Sequence, residues 1–279
     1  MKNKMKWLCA FLVFCLTAAC MTACNSKGDF ATAKTAMDKT LALETFQLDG
    51  TFETWSSTGE YGMDPGDIGM DSAGIRGKVE FSESLLTQGE NPRYYIESSL
   101  IYESPTKTQT DTRYWYEDGY MYIVAGPTQF IGQEPSDEGE NLVQFDYTME
   151  DVVIAFDMRQ WIAQFDDSQI IKGSMEEQED GSLVYSATLK GGDLLPDVLG
   201  RLYSEDVHKD VQVSVKIEDG FATEMDFHYI FADEANSTDL NCKVHYIFTN
   251  LGSGVEIPER PQGEYTTSSS WDSNKFGLF

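Results

Sequence analysis

Residues 211–221 read VQVSVKIEDGF, and this stretch decides the fold class. Its aliphatic residues alternate with polar ones as far as Ile217, which predicts a strand with one buried face and one solvated face. Asp219-Gly220 then supplies the two positive-φ positions that a type I′ hairpin turn requires. The stretch therefore predicts a strand, a tight turn and a second, antiparallel strand.

The same turn signal occurs twice more, at Glu117-Asp118-Gly119 and at Glu179-Asp180-Gly181. Each copy lies between two runs of strand-like residues, so three tight hairpins are predicted. Together they indicate a mostly antiparallel β fold. The predicted strands are 46–56, 73–84, 92–103, 109–117, 120–125, 168–176, 182–190, 209–218, 221–232 and 240–249.

Three segments have helical periodicity instead. Residues 29–44, 148–165 and 193–204 carry apolar stripes at three- and four-residue spacing, which predicts amphipathic helices. Each stripe requires a buried partner, and the apolar face of the sheet is the natural one. Residues 57–72 and 126–147 are rich in Gly and Pro and are predicted to be loops.

The first residues have the layout of a secretory signal. A lysine-rich start (Lys2, Lys4 and Lys6) is followed by an uncharged, largely apolar run over 7–19 and then by small residues. The end of this run resembles a bacterial lipobox, in which small residues precede a cysteine that is lipidated. We predict a signal peptide over 1–23.

Cys24 is the favoured lipidation site, because Thr22-Ala23 precede it and a polar tether over 25–28 follows. Cys20 is the alternative, since Met21 departs from the leucine that is usual in this motif. A diacylated cysteine carries two chains, enough for stable anchoring. The expected location is therefore the outer side of the cell membrane; a cleaved signal with free secretion is the other possibility.

Composition excludes several classes of function. The formal net charge is −27, which argues against nucleic acid and against anionic lipid headgroups as partners. Four of the five cysteines precede Asn25, so Cys242 has no intramolecular disulfide partner in the mature chain. Motifs of zinc proteases, serine hydrolases and P-loop enzymes are absent. We expect no enzymatic activity and no cofactor.

The order of elements resembles the LolA/LolB/LppX-like lipoprotein superfamily. The phrases that carry the resemblance are Phe46-Gln47-Leu48-Asp49-Gly50, Tyr116 to Tyr122 and Gly254-Val255-Glu256-Ile257-Pro258. It implies an α+β fold over 29–261: a curved, half-barrel antiparallel sheet with about three helices on its concave face and a cavity for acyl chains between them. Residues 262–279 are predicted to form a mobile tail.

On this hypothesis a lipid or other hydrophobic ligand would lie against the helical stripes. The predicted lining consists of Ile154, Met158, Trp161, Phe165, Leu195, Val198, Leu199 and Leu202. A close-packed core is the alternative interpretation of the same residues, and it would favour a protein–protein interaction module of the cell envelope. A hydrolase of envelope polymers is a third, weaker hypothesis. The sequence names no protein partner.

Two groups of residues are candidate metal ligands. His228 and His245 lie in predicted strands and could approach each other on neighbouring strands to bind a metal. A structural role for both histidines is the simpler interpretation. Asp64, Asp67 and Asp71 lie in a Gly-rich loop without the spacing of an EF-hand, so a solvated acidic loop is preferred. No metal site is therefore predicted from the sequence.

Overall fold

The structure, a computed structural model, describes residues 27–58, 76–86, 92–103, 107–131, 140–162, 164–191, 207–208, 210–233 and 238–267. Two α-helices lie in these ranges, α1 (Phe30–Leu41) and α2 (Met149–Phe156), with short 3-10 helices at Met158–Trp161 and Asp167–Gln169. The strands are β1 (Thr45–Thr58), β2 (Arg76–Leu86), β3 (Arg93–Glu103), β4 (Lys107–Glu117), β5 (Tyr120–Ala125), β6 (Gln129–Phe130), β7 (Asn141–Asp146), β8 (Ile170–Glu177), β9 (Leu183–Leu189), β10 (Val207–His208), β11 (Val211–Glu218), β12 (Phe221–Asp233), β13 (Thr238–Thr249) and β14 (Thr266–Thr267).

All these strands belong to one sheet. Its order is β14-β7-β5-β4-β3-β2-β1-β13-β12-β11-β9-β8, with β6 paired to β4 and β10 to β12. Every pairing is antiparallel except the short β14–β7 pair. The prediction of an antiparallel β fold is thus confirmed, and each of the ten predicted strands overlaps an observed one.

The three predicted hairpins are present, but one has a different turn. Asp118-Gly119 and Asp219-Gly220 have positive φ at both residues, as a type I′ turn requires. At the third hairpin only Gly181 has positive φ, and its N–H donates to the Gln178 carbonyl at 3.0 Å. This geometry is typical of a type I turn followed by a left-handed glycine, the usual three-residue hairpin connection.

The main core lies on one face of the sheet. Its largest fully buried side chains include Phe46, Tyr94, Tyr114, Tyr185 and Phe227, contributed by strands from across the sheet. Helix α1 buries Ala33, Ala36 and Met37 in this same cluster and packs on β12 and β11. At its start, the Asp29 side chain accepts from the Thr32 N–H, which caps the helix.

The predicted half-barrel with about three helices on its concave face is wrong for the residues that the structure describes, which contain two α-helices. The helix predicted over 148–165 ends at Phe156, because Asp157 has extended backbone (φ −63°, ψ 109°). Side-chain carboxyls then accept backbone N–H groups in place of helical hydrogen bonds: Asp157 accepts from Arg159, and Glu83 from Met158. The helix predicted over 193–204 lies outside the described residues.

The loop predicted over 126–147 is also partly wrong, since it contains β6 and β7. Strand β7 pairs with β5 along its whole length and places Val143 and Phe145 in the core. Those two residues are separated by a polar one, but the alternating run is too short to stand out beside the Gly- and Pro-rich residues before it.

A second, smaller cluster lies on the opposite face. Tyr95, Trp115, Tyr122 and Val124 are buried there beneath the chain that follows β13. The Trp115 indole N–H donates to the Pro258 carbonyl at 3.0 Å, and the Arg260 guanidinium lies 4.1 Å from the centre of the Tyr122 ring. The C-terminal segment thus covers the β3–β7 part of this face.

Both ends of the predicted domain, residues 29 and 261, lie within the described ranges, and pairing with the sheet extends beyond them. Lys27 forms an isolated parallel bridge with Gly173 at the β8 edge, and Thr266–Thr267 pair with β7. Residues 1–26 and 268–279, with the predicted signal peptide and Cys24, lie outside the described residues. Neither helix in the described ranges has the length and hydrophobicity needed to cross a bilayer.

Candidate functional site

The residues predicted to line a lipid cavity fall into three groups. Met158 and Phe165 are 2% and 6% exposed and belong to the main core cluster. The side chains of Ile154 and Trp161 are outside the description, although their backbone is within it. The remaining four, Leu195, Val198, Leu199 and Leu202, lie outside the described residues.

Among the described residues, a groove lies on the opposite, polar face of the sheet. It is an open groove of about 380 Å³ across β8, β9, β11, β12 and β13. The polar residues that line it are Lys172, Ser174, Ser186, Thr188, Gln212, Ser214, Asp226, His228 and Lys243.

Strand register explains why a depression forms at this place. Ser174, Ser186 and Ser214 stand side by side on β8, β9 and β11, and Asp226 continues their row on β12. Side chains of adjacent strands on one face are neighbours, so this row of short hydroxyl side chains forms a low strip. A parallel row of longer side chains runs beside it from Lys172 through Thr188, Gln212 and His228 to Lys243.

Two lysines stand near opposite ends of the groove. Lys172 and Lys243 are exposed, and neither forms an ion pair with another described residue. Lys78 and Lys216, on the same face, do pair with carboxylates, at 2.7 Å to Glu80 and 2.6 Å to Glu218. The chain has 47 acidic residues and 20 lysines and arginines, so two ammonium groups that pair with no described carboxylate are available for an added anion.

The groove also offers neutral hydrogen-bonding groups. The Thr188 hydroxyl donates to the Gln212 side-chain oxygen at 3.0 Å, which leaves the Gln212 NH₂ group directed away from this bond. His228 makes a 3.0 Å hydrogen bond to the Asn241 side-chain oxygen and stacks on Trp55 at 5.8 Å between ring centres. A ligand here would meet hydroxyl and amide groups as well as charge.

The second histidine lies beside the groove. His245 Nδ1 is 2.9 Å from Asp226 Oδ1, while His228 pairs with Asn241. The two histidines therefore have different hydrogen-bond partners. The loop of Asp64, Asp67 and Asp71 lies outside the described residues.

A buried charged cluster beneath the helical segment is a further feature that the sequence analysis missed. Glu83 is fully buried on β2, Asp157 is 5% exposed, and Arg159 makes paired contacts with the Asp157 carboxylate at 2.7–3.1 Å. Glu83 Oε2 accepts the Met158 N–H, whereas Oε1 has no hydrogen-bond partner among the described residues.

Burial, followed by the nearby charge of Asp157, raises the pKa of Glu83 well above its usual range. The Arg159 charge and the hydrogen bond from the Met158 N–H lower the pKa of Glu83, but their effect is smaller. The sequence contained a signal for the burial of Glu83. Side chains alternate between the two faces of β2, and this alternation places Glu83 on the core face with Phe81 and Leu85.

Comparisons with known proteins add little to this description. No family model matches the chain, and no curated protein matches it. Among solved structures, the chain is similar to the beta-barrel-like protein of domain of unknown function DUF1849 from Brucella abortus. The identity is 14%, the match covers 73% of this chain and 97% of that one, and the TM-score is 0.24.

Proposed function

We propose that this chain is a lipid-anchored protein on the outer side of the cell membrane that binds a ligand without catalysis. Its binding site is the polar groove, and the ligand is an elongated, anionic, hydroxyl-bearing polymer segment such as an acidic glycan. The observation that carries the proposal is the row of hydroxyl and amide side chains between two lysines that form no ion pair with another described residue.

The dimensions of the groove favour a polymer segment over a small ion. Lys172 and Lys243 are separated by four inter-strand steps, which places their Cα atoms about 19 Å apart. Strand side chains stand roughly perpendicular to the sheet, so the two ammonium groups stay far apart, and an extended chain with repeated acidic groups suits them better than one phosphate or carboxylate does. The net charge of the chain opposes an anionic ligand, but charges more than about 8 Å from the groove are largely screened at physiological ionic strength, so the two groove lysines act more strongly than distant carboxylates.

Binding of a hydrophobic ligand between sheet and helices has less support. Met158 and Phe165, the predicted lining residues whose side chains are described, are packed in the core. The resemblance to the LolA/LolB/LppX-like superfamily stays a prediction. A protein-docking role is the alternative that remains if the groove binds no acidic glycan.

The groove is tested with a matched pair of trisaccharides. We expect the full chain in detergent to bind trigalacturonic acid in isothermal titration calorimetry and not to bind maltotriose, which has the hydroxyl groups but no carboxylates. Replacing both groove lysines (Lys172→Met with Lys243→Met) should weaken binding about 10-fold or more, equivalent to about 1.4 kcal/mol.

The control is Lys190→Met, because Lys190 is an exposed lysine directly after β9 and outside the groove. This variant should bind trigalacturonic acid like the unmodified chain. Equal binding of the two trisaccharides, no saturable binding, or equal losses in the Lys190 and groove variants would each overturn the groove proposal.

The membrane anchor is tested separately. Cys24→Ala should release the chain from the membrane fraction, because no lipid can then be attached at that residue. Cys20→Ala is the matched control and should leave the chain membrane-bound. Fractionation and mass spectrometry of the N-terminal peptide measure both outcomes, and a lipidated peptide that begins at Cys20 would refute the assignment to Cys24.

A further inference from the structure

Three side chains of types that commonly ligate metals converge on the polar face next to the groove. They are Glu224 and Asp226 on β12 and His245 on β13, and one potential ligand atom from each lies within 4.8 Å of the others. Asp226 and His245 face each other in register, and Glu224 is two residues away on the same strand face. Neighbouring strands thus hold all three side chains on one face of a rigid sheet.

We propose that Glu224, Asp226 and His245 bind one divalent transition-metal ion, of the chemical class of Zn²⁺. Two carboxylate oxygens and one imidazole nitrogen form a mixed donor set that suits such ions, whereas Ca²⁺ takes six to eight oxygen ligands. The two carboxylates balance the charge of the ion. Three protein ligands leave at least one coordination position for water or another ligand, as in open zinc sites.

The side chains are arranged closely enough for this role. Around one Zn²⁺ ion, with bonds of about 2.0–2.2 Å, ligand atoms lie about 3.5 Å from one another. His245 Nδ1 and Asp226 Oδ1 are 2.9 Å apart, and the Glu224 ligand atom lies within 4.8 Å of both. All three residues are only partly buried, so the ion can enter from solvent.

The site adjoins the proposed ligand groove through a shared residue. Asp226 lines the groove and also belongs to the metal cluster, so an acidic group in the groove would lie near the open coordination position. The metal proposal does not depend on the groove ligand, because the donor set is complete without it. The two proposals can therefore fail separately.

The test uses Zn²⁺ alone with the full chain in detergent. We expect isothermal titration calorimetry to show one saturable Zn²⁺ site per chain that Ca²⁺ at equal concentration does not occupy. His245→Asn and, separately, Glu224→Gln should each weaken Zn²⁺ binding by at least about 10-fold, a loss that even outer-shell changes produce at metal sites.

Asp49→Asn is the matched control, since Asp49 is a carboxylate on β1 two strands from Glu224 and outside the cluster. It should retain the Zn²⁺ site. Thermal unfolding shows whether each variant is folded. If one of the two cluster variants does not fold, the other still tests the Zn²⁺ site. Absence of a stoichiometric site, or similar binding by the cluster variants and the control, would overturn the proposal.

Discussion

Arg159→Met is expected to lower the free energy of unfolding by about 3–5 kcal/mol, which is the usual cost of removing one partner of a buried ion pair. The Arg159 side chain is 14% exposed and the Asp157 side chain 6% exposed. Methionine fills a similar volume but cannot hydrogen-bond to the carboxylate. The Asp157 carboxylate would remain in the protein interior without its partner.

Arg159 also connects parts of the chain that are distant in sequence. Its Nη1 group donates to the carbonyls of Leu41 and Leu43 at 2.8 and 2.6 Å, at the end of α1 and just after it. Its guanidinium lies 4.4 Å from the centre of the Phe46 ring, at the start of β1. The substitution therefore removes the hydrogen bonds that hold the α1–β1 connection against the segment after α2.

Urea denaturation followed by tryptophan fluorescence measures the change. Arg113→Met is the control, because Arg113 pairs with Glu140 at a more exposed site (32% and 47% exposed), where ion pairs contribute about 1 kcal/mol or less. The double variant Arg159→Met with Asp157→Asn should recover part of the loss, since no unpaired charge remains. A single Arg159 variant as stable as the Arg113 variant would contradict the assigned role.

Local sequence patterns predicted the strands better than they predicted where a helix ends. The alternation of residues 211–217 and the Asp-Gly turns depend on neighbouring residues, and both recur in the structure. The break at Asp157 depends instead on Glu83, 74 positions earlier, whose carboxyl accepts the Met158 N–H. A helical stripe read by itself carries no information about such a distant acceptor.

The candidate groove was beyond sequence reasoning for a related reason. Ser174, Ser186 and Ser214 are unremarkable in the chain, and become a row only through the β8–β9 and β9–β11 registers. The β9–β11 pair joins strands separated by a long connection, so its register cannot be read from a turn. The Asp226–His245 contact likewise depends on the β12–β13 register.

The second large expected effect is a pH dependence of folding stability that comes from Glu83. A carboxyl whose pKa is higher in the folded than in the unfolded chain binds more protons when folded, so folding stability from this group falls as pH rises. The loss begins near the unfolded pKa, roughly 4.3, and continues up to the raised folded pKa. Glu83→Gln removes this titration, because an amide stays neutral throughout.

We therefore expect Glu83→Gln to gain stability relative to the unmodified chain as the pH increases. The difference should be constant below about pH 4 and then grow by up to about 1.4 kcal/mol per pH unit, the value for one proton. Urea denaturation at a series of pH values measures it. The groups that face Glu83 and must stay unchanged are Asp157, Arg159 and Tyr94.

Ser82→Ala provides the baseline for this series, since Ser82 is adjacent to Glu83 on β2 and has no titratable side chain in this pH range. Its stability difference from the unmodified chain should not vary with pH. If the Glu83→Gln difference is equally flat, or if the unmodified chain gains stability relative to it as pH rises, then the Glu83 pKa is not raised. In that case the Arg159 charge, and not burial, controls the protonation of Glu83, and the cluster is an ordinary ion-pair network with two ionised acids.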